Sequence, residues 1–221
     1  VYPPPPLNGL ADVEAAIAAA LDSPLGMDPL DALLRPGMKL TIAFDDISLP
    51  LPPMRGPDIR GRVIEQVLER AYRAGVEDIH LIAALALHRR MTPAELKRAV
   101  GPRIFDEFYP DRLYNHDAED PDAVVDLGET RHGEAVELSR RAAESDLLIY
   151  VNINLVTMDG GHKSVAVGLG TYNSVKAHHN VHALRHSRSF MDPSKSELHH
   201  SASRQGEVVE AAVPIFHIET T

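Results

Sequence analysis

The chain has 221 residues, enough for one large domain or two small ones, and with 44% hydrophobic and 24% charged residues it suits a globular protein with a sizeable core. A formal net charge of −10 argues against a nucleic-acid partner, and the absence of cysteine excludes disulfides and thiolate catalysis, so a metal must be held by histidine, carboxylate or a cofactor's own atoms. No apolar run approaches the length of a membrane span and no signal peptide is visible, so the expectation is a cytoplasmic protein with no membrane partner.

Tyr2 to Pro6 form an extended, polyproline-like lead. Asp12 to Leu21 is alanine-rich and reads as a helix ended by Ser23-Pro24, and Pro29 to Leu34 as a short helix stopped by Pro36-Gly37. Leu40, Ile42 and Phe44 alternate as in a strand, which runs out into Asp45-Asp46-Ile47-Ser48 and a proline-rich loop. Asp58 caps a helix that carries Val63, Ile64, Val67, Leu68 and Ala71 on one face and stops at Gly75. A second strand, Ile79 to Ala84, leads to His88-Arg89-Arg90. Thr92 to Glu95 then make a capping box with proline at the first helical position.

Tyr109 to Ala123 reads as a polar, turn-rich stretch around Asn115-His116-Asp117, where His116 suits a structural turn. Val124 to Leu127 and Glu134 to Leu138 are short strand candidates, and Leu147 to Val151 is the strongest strand. Gly160-Gly161 gives a sharp turn that lets something bulky approach, and Lys163 follows it as a nucleophile, a phosphate partner or a plain surface lysine. Gly168 and Gly170 interrupt the helical pattern beyond. His178, His182 and His186 recur every four residues and would share one face of a helix, although no HExxH signature is present. From His186 the chain is polar, and Val208 to Ile218 is apolar and strand-like.

Strands alternating with helices predict an α/β fold with a Rossmann-like, mostly parallel sheet over one domain, residues 1–221. Ligands of such sheets sit beyond the C-terminal strand ends, so Asp46 and Ser48, His88, and the segment from Asn152 to Lys163 are expected to converge on one rim. Asp45, Asp46 and Ser48 there either bind a ligand or cap the next turn. His88 is a candidate general base.

Several motifs in order resemble the nickel-pincer lactate racemase family across nearly the whole chain. They are LDSPLGMDPLDALLRPGMKLTIAFDDISLP, HRRMTPAEL, YNHDAED, LGETRHGEAVELSRRAAESDLLIYVN, DGGHK and HHN. The resemblance implies a covalent nickel-pincer cofactor of the pyridinium-3,5-bisthiocarboxylic acid mononucleotide type on Lys163. Asp46, Ser48, Gly160 and Gly161 would lie around it, with His179, ahead of His178, as nickel ligand. His88 would be a catalytic base, and Arg89 and Asn154 substrate contacts. A host lacking the enzymes that make the pincer would yield a bare Lys163.

Two departures matter. Leu49 stands where the family's D-x-S/T-R-P turn has a carboxylate-holding arginine, for which Arg55 or Arg89 is the available substitute. Asn152-Ile153-Asn154-Leu155 stands where the family has a second histidine base. The implied activity is therefore racemisation or epimerisation of a small 2-hydroxyacid other than lactate, completed by a C-terminal domain absent from this chain. The alternatives are a non-catalytic, cofactor-carrying domain, or a metal-dependent hydrolase built on His178, His182 and His186.

Overall fold

The structure, a computed structural model, describes residues 8–47, 54 and 56–221; the polyproline lead, Ser48, Leu49 and Arg55 lie outside the described residues. In chain order the elements are α1 (Val13–Asp22), α2 (Leu30–Leu33), β1 (Lys39–Asp45), α3 (Ile59–Arg73), β2 (Asp78–Ala84), α4 (Pro93–Val100), α5 (Pro102–Phe108), β3 (Leu113–Asn115), β4 (Val124–Glu129), β5 (Ala135–Ser139), α6 (Arg140–Ala143), β6 (Leu147–Ile153), α7 (Gly161–Gly168), α8 (Tyr172–Val175), α9 (Val181–His186), α10 (Glu197–Ala212) and β7 (Ile215–Thr220). A five-stranded sheet has the order β3-β2-β1-β6-β7, and each of its pairings is parallel. β4 and β5 form a separate antiparallel pair.

Local chemistry sets most of these boundaries. The Asp12 and Asp58 side chains accept from the first-turn amides of α1 and α3, and Thr92 and Glu95 form a reciprocal capping box on α4. Burial then orders the layers. Leu40, Ile42 and Phe44 of β1 and Leu147, Ile149 and Val151 of β6 pack against Val63, Ile64, Val67 and Leu68 of α3. The opposite face carries Ala43, Leu148 and Tyr150, which meet Val165 and Leu169 near α7 and Val209 and Val213 at the end of α10. Thr41 and Ala43 are as buried as their apolar neighbours, so β1 is covered on both faces, as a parallel sheet requires.

Three expectations need correction. The stretch from Tyr109 contains an edge strand, β3, preceded by a further helix, α5, that Pro102 starts directly where α4 stops, because proline at the first helical position needs no amide partner. The tail is not one strand: Val208 to Ala212 close α10, and only Ile215–Thr220 is extended. The buried face of α10 includes Ser201, Gln205 and Gly206 beside Leu198, Ala202 and Val209, so its apolar stripe is diluted. Finally, Gly168 and Gly170 do not prevent a helix; Lys163 lies inside α7, in its first turn.

Gly206 lets α10 approach α7, because a Cβ there would overlap the Cβ and Cγ of His162. Gly206→Ala is expected to lower stability by roughly 1–3 kcal/mol despite alanine's better helix propensity. Its thermal unfolding midpoint should fall below wild type, and an equal or higher midpoint would refute this packing argument.

Candidate active site

The strand order reverses between β1 and β6, and the crevice at their C-terminal ends is where open parallel sheets bind ligands. Asp45 closes β1 there. Its Oδ2 accepts from the Ile153 amide at the end of β6 at 2.6 Å, and its Oδ1 from the Tyr150 hydroxyl at 3.1 Å. Burial pushes the Asp45 pKa up to about 6, opposed by those two hydrogen bonds and by the charges of Arg60 and Lys163. The buried Arg60 guanidinium ties the turn to α3, donating to the carbonyls of Asp45 (2.6 Å) and Asp46 (2.9 Å) while also pairing with Asp58.

Asp46 is buried and its Oδ2 lies 3.1 Å from His88 Nδ1, whereas the His88 side chain is 51% exposed. A carboxylate on Nδ1 fixes the ring's tautomer and orientation. Arg89, beside it, is engaged elsewhere: its guanidinium makes a two-bond clamp on the Glu95 carboxylate at 2.9 and 2.8 Å. His116 is buried, with Nε2 2.9 Å from the Gly170 carbonyl, a long-range contact rather than the local turn role expected of it.

The lysine turn leaves the end of β6. Gly160 has φ +90° and Gly161 φ +55°, both in the left-handed region that favours glycine. A side chain at Gly160 would also meet Glu219 Oε2 at 2.7 Å and Asn154 Oδ1 at 2.8 Å. Both glycine amides are engaged, Gly160 N–H with Ser164 Oγ at 3.1 Å and Gly161 N–H with Glu219 Oε1 at 2.8 Å. Lys163 Nζ pairs with Asp159 Oδ1 at 3.1 Å, and its side chain is 20% exposed. Asp159 Oδ2 accepts from the amides of Leu155 and Val156, so one carboxylate closes the loop and holds the amine. Asn154 accepts from Asn152 through Oδ1, which leaves its own amide N–H groups to donate.

The paired histidines differ sharply. His178 is buried, and burial pulls its pKa down to about 4, with the charge of His179 adding to the effect. Its Nε2 makes no hydrogen bond among the described residues, nor does Oε1 of the neighbouring Gln205, whose side chain acts to raise the His178 pKa. His179 is exposed, and its Nδ1 lies 2.8 Å from His178 Nδ1. Partial desolvation lowers the His179 pKa, followed by the charge of Lys163 and, more weakly, of His88, so the two residues lie within electrostatic range of this ring.

The histidine row does not form. His178 precedes Asn180, which caps α9, so only His182 and His186 share that helix, with their rings stacked on each other. No group of three or more metal-ligating side chains gathers among the described residues. His178, His182 and His186 therefore do not make a hydrolytic metal centre. Sequence reasoning missed Asp159 and Glu219. Asp159 stands four residues before Lys163, a spacing that signals a helical ion pair, whereas nothing local points to Glu219.

A parallel α/β domain with titratable side chains gathered at its switch point defines a class that holds a small ligand or cofactor there. The chain belongs to the lactate racemase N-terminal domain family, whose model matches residues 1–192. It is 28% identical over 178 residues to the lactate racemase of Lactiplantibacillus plantarum, covering 78% of this chain and 39% of that protein. With the lactate racemase of Thermoanaerobacterium thermosaccharolyticum it shares 22% identity over 170 residues, 75% of this chain and 38% of the relative. The solved lactate racemase apoprotein of T. thermosaccharolyticum superposes with a TM-score of 0.76 at 20% identity, over 93% of this chain and 48% of that one. A Thermotoga maritima protein follows at 0.67 and 16%, over 94% and 50%. The fold is thus shared, while this chain spans less than half the length of the curated relatives it matches.

Proposed function

We propose that this chain is the cofactor-bearing part of a racemase or epimerase of 2-hydroxyacids, with Lys163 carrying a nickel-pincer group and His179 ligating its nickel. What supports the reading is that the charges of Lys163 and His88 both act on the His179 ring in a member of this family. The residues fit the group: Lys163 keeps a partly exposed side chain, its amine held by Asp159, on a carboxylate-braced turn, and His179 presents an exposed ring whose Nε2 makes no hydrogen bond among the described residues. When bound, the cofactor supplies the acceptor and donor for the α-hydrogen.

The protein's own part is proton handling and orientation. His88, held through Nδ1 by Asp46, takes the proton of the substrate hydroxyl and returns it. Asn154 donates to a substrate hydroxyl or carboxylate. Arg89 clamps the substrate carboxylate only by leaving Glu95, which sets a cost on binding that a free arginine would not carry. A second proton partner of histidine type is missing at Asn152 to Asn154, and Leu49 offers a carboxylate no hydrogen bond. These two departures favour a substrate other than lactate, such as a sugar acid whose extra hydroxyls add binding energy. They also favour a second reading, a cofactor carrier without turnover.

The deciding experiment is intact-mass and nickel analysis of protein produced beside the pincer-making enzymes, followed by a panel of hydroxyacids. An adduct and nickel in wild type, absent from Lys163→Ala, support the proposal, and no adduct in wild type sinks it. An adduct without turnover on any substrate favours the carrier. On L-lactate, loaded protein is expected to form D-lactate no faster than Lys163→Ala; a clearly faster rate would show that Leu49 and the asparagines have replacements.

A further inference from the structure

We propose that Glu219 is a positioning residue for the lysine turn, fixing the Gly161 amide and the Asn152 side chain so that Lys163 is presented on the rim. The proposal rests on Lys163 being the cofactor-bearing residue, and it adds a group from the far end of the chain, outside the residues that match the family model.

The geometry is a closed circuit. Glu219 Oε1 accepts from Gly161 N–H at 2.8 Å and Oε2 from Asn152 Nδ2 at 2.8 Å. Asn152, itself buried, accepts through Oδ1 from the Ser164 hydroxyl at 2.7 Å, and Ser164 Oγ in turn accepts from Gly160 N–H. The circuit therefore begins and ends on the two glycines. β7 delivers the carboxylate accurately because it is locked to the end of β6: Asn154 N–H donates to the Thr220 carbonyl at 2.7 Å, and the Thr220 hydroxyl to the Asn152 carbonyl at 2.9 Å.

The physical need is clear. Two successive glycines in left-handed conformations are the least constrained backbone a chain can offer, and first-turn amides of a helix have no intrahelical acceptor. A carboxylate at that end satisfies an amide and is favoured by the helix dipole of α7. A consequence follows for the cofactor. With both glycine amides engaged, neither of them is open to an anionic group of a cofactor.

Hydrogen exchange on wild type, Glu219→Ala and Glu219→Gln tests this, together with the adduct fraction on Lys163 in each protein made beside the pincer-making enzymes. In Glu219→Ala the amides of residues 159–163 should exchange about tenfold faster, the scale of one lost charge-assisted bond. Those of β1 and β2 should keep wild-type protection. Glu219→Gln, which retains an oxygen for Gly161 N–H, should recover most of the protection, and adduct fractions should rank wild type, Gln, Ala. Wild-type exchange in both variants overturns the proposal, as does uniform acceleration through β1 and β2, which would mean general support of the fold. If Glu219→Ala fails to fold, Glu219→Gln decides: intermediate exchange at residues 159–163 supports the proposal and wild-type exchange overturns it. Locally faster exchange in variants of a protein that carries no adduct even as wild type would uphold the brace on the turn and remove the cofactor reading alone.

Discussion

His179→Ala is expected to strip nickel from cofactor-loaded protein, whereas His178→Ala should still hold it, only less tightly. The two rings share one Nδ1–Nδ1 hydrogen bond of 2.8 Å, so one must donate and the other accept. If His179 donates, its Nε2 keeps the lone pair a metal needs, and that ring is the exposed one. His178 then carries its proton on the buried Nε2, on the side of Gln205, whose Oε1 lacks a donor among the described residues. A histidine that orients a metal-binding neighbour is worth about 10–100-fold in affinity, against near-complete loss when the ligand itself is removed. Nickel per chain, measured after competition with a graded chelator, separates the two. Loss confined to His178→Ala would reverse their roles.

Asp45→Asn is expected to flatten the pH dependence of stability between about pH 4 and pH 7. Because burial raises the Asp45 pKa from 3.8 to about 6, the folded state binds this proton more tightly than the unfolded chain. The stability linked to it is full below the unfolded pKa and is lost as pH rises through the folded one. That gap corresponds to roughly 3 kcal/mol of destabilisation in wild type at pH 8. Asparagine fits the site, since its oxygen can accept from the Ile153 amide while its NH2 donates to the Tyr150 hydroxyl. Chemical denaturation at pH 4, 6 and 8 should show the variant gaining on wild type as pH rises. Parallel curves would mean that Asp45 does not titrate in this range.

Much of the scaffold was legible because its determinants are local. The caps at Asp12, Asp58 and Thr92 satisfy amides two or three residues away, and the alternation in β1 and the apolar runs of β2 and β6 mark them as strands. The order of strands and helices then implied the parallel sheet, and strand-end placement raised the expectation that Asp46, His88 and Lys163 border one crevice. Where signals conflicted, reading failed: Gly101-Pro102 serves two helices at once, and α10 hides a buried face behind serine, glutamine and glycine.

What only the tertiary structure decided depends on groups far apart in the chain. Asp45 meets Ile153 across 108 residues, and Glu219 reaches Gly161 across 58. Burial at the switch point, not residue type, makes Asp45 the carboxylate with a pKa near neutrality while Asp46 beside it pairs with His88. The same holds for the adjacent histidines, which are identical in sequence terms. One is buried beside Gln205 and the other is exposed. Sequence thus determined which side chains were available at the strand ends; desolvation and long-range hydrogen bonding determined which of them are held, charged and exposed.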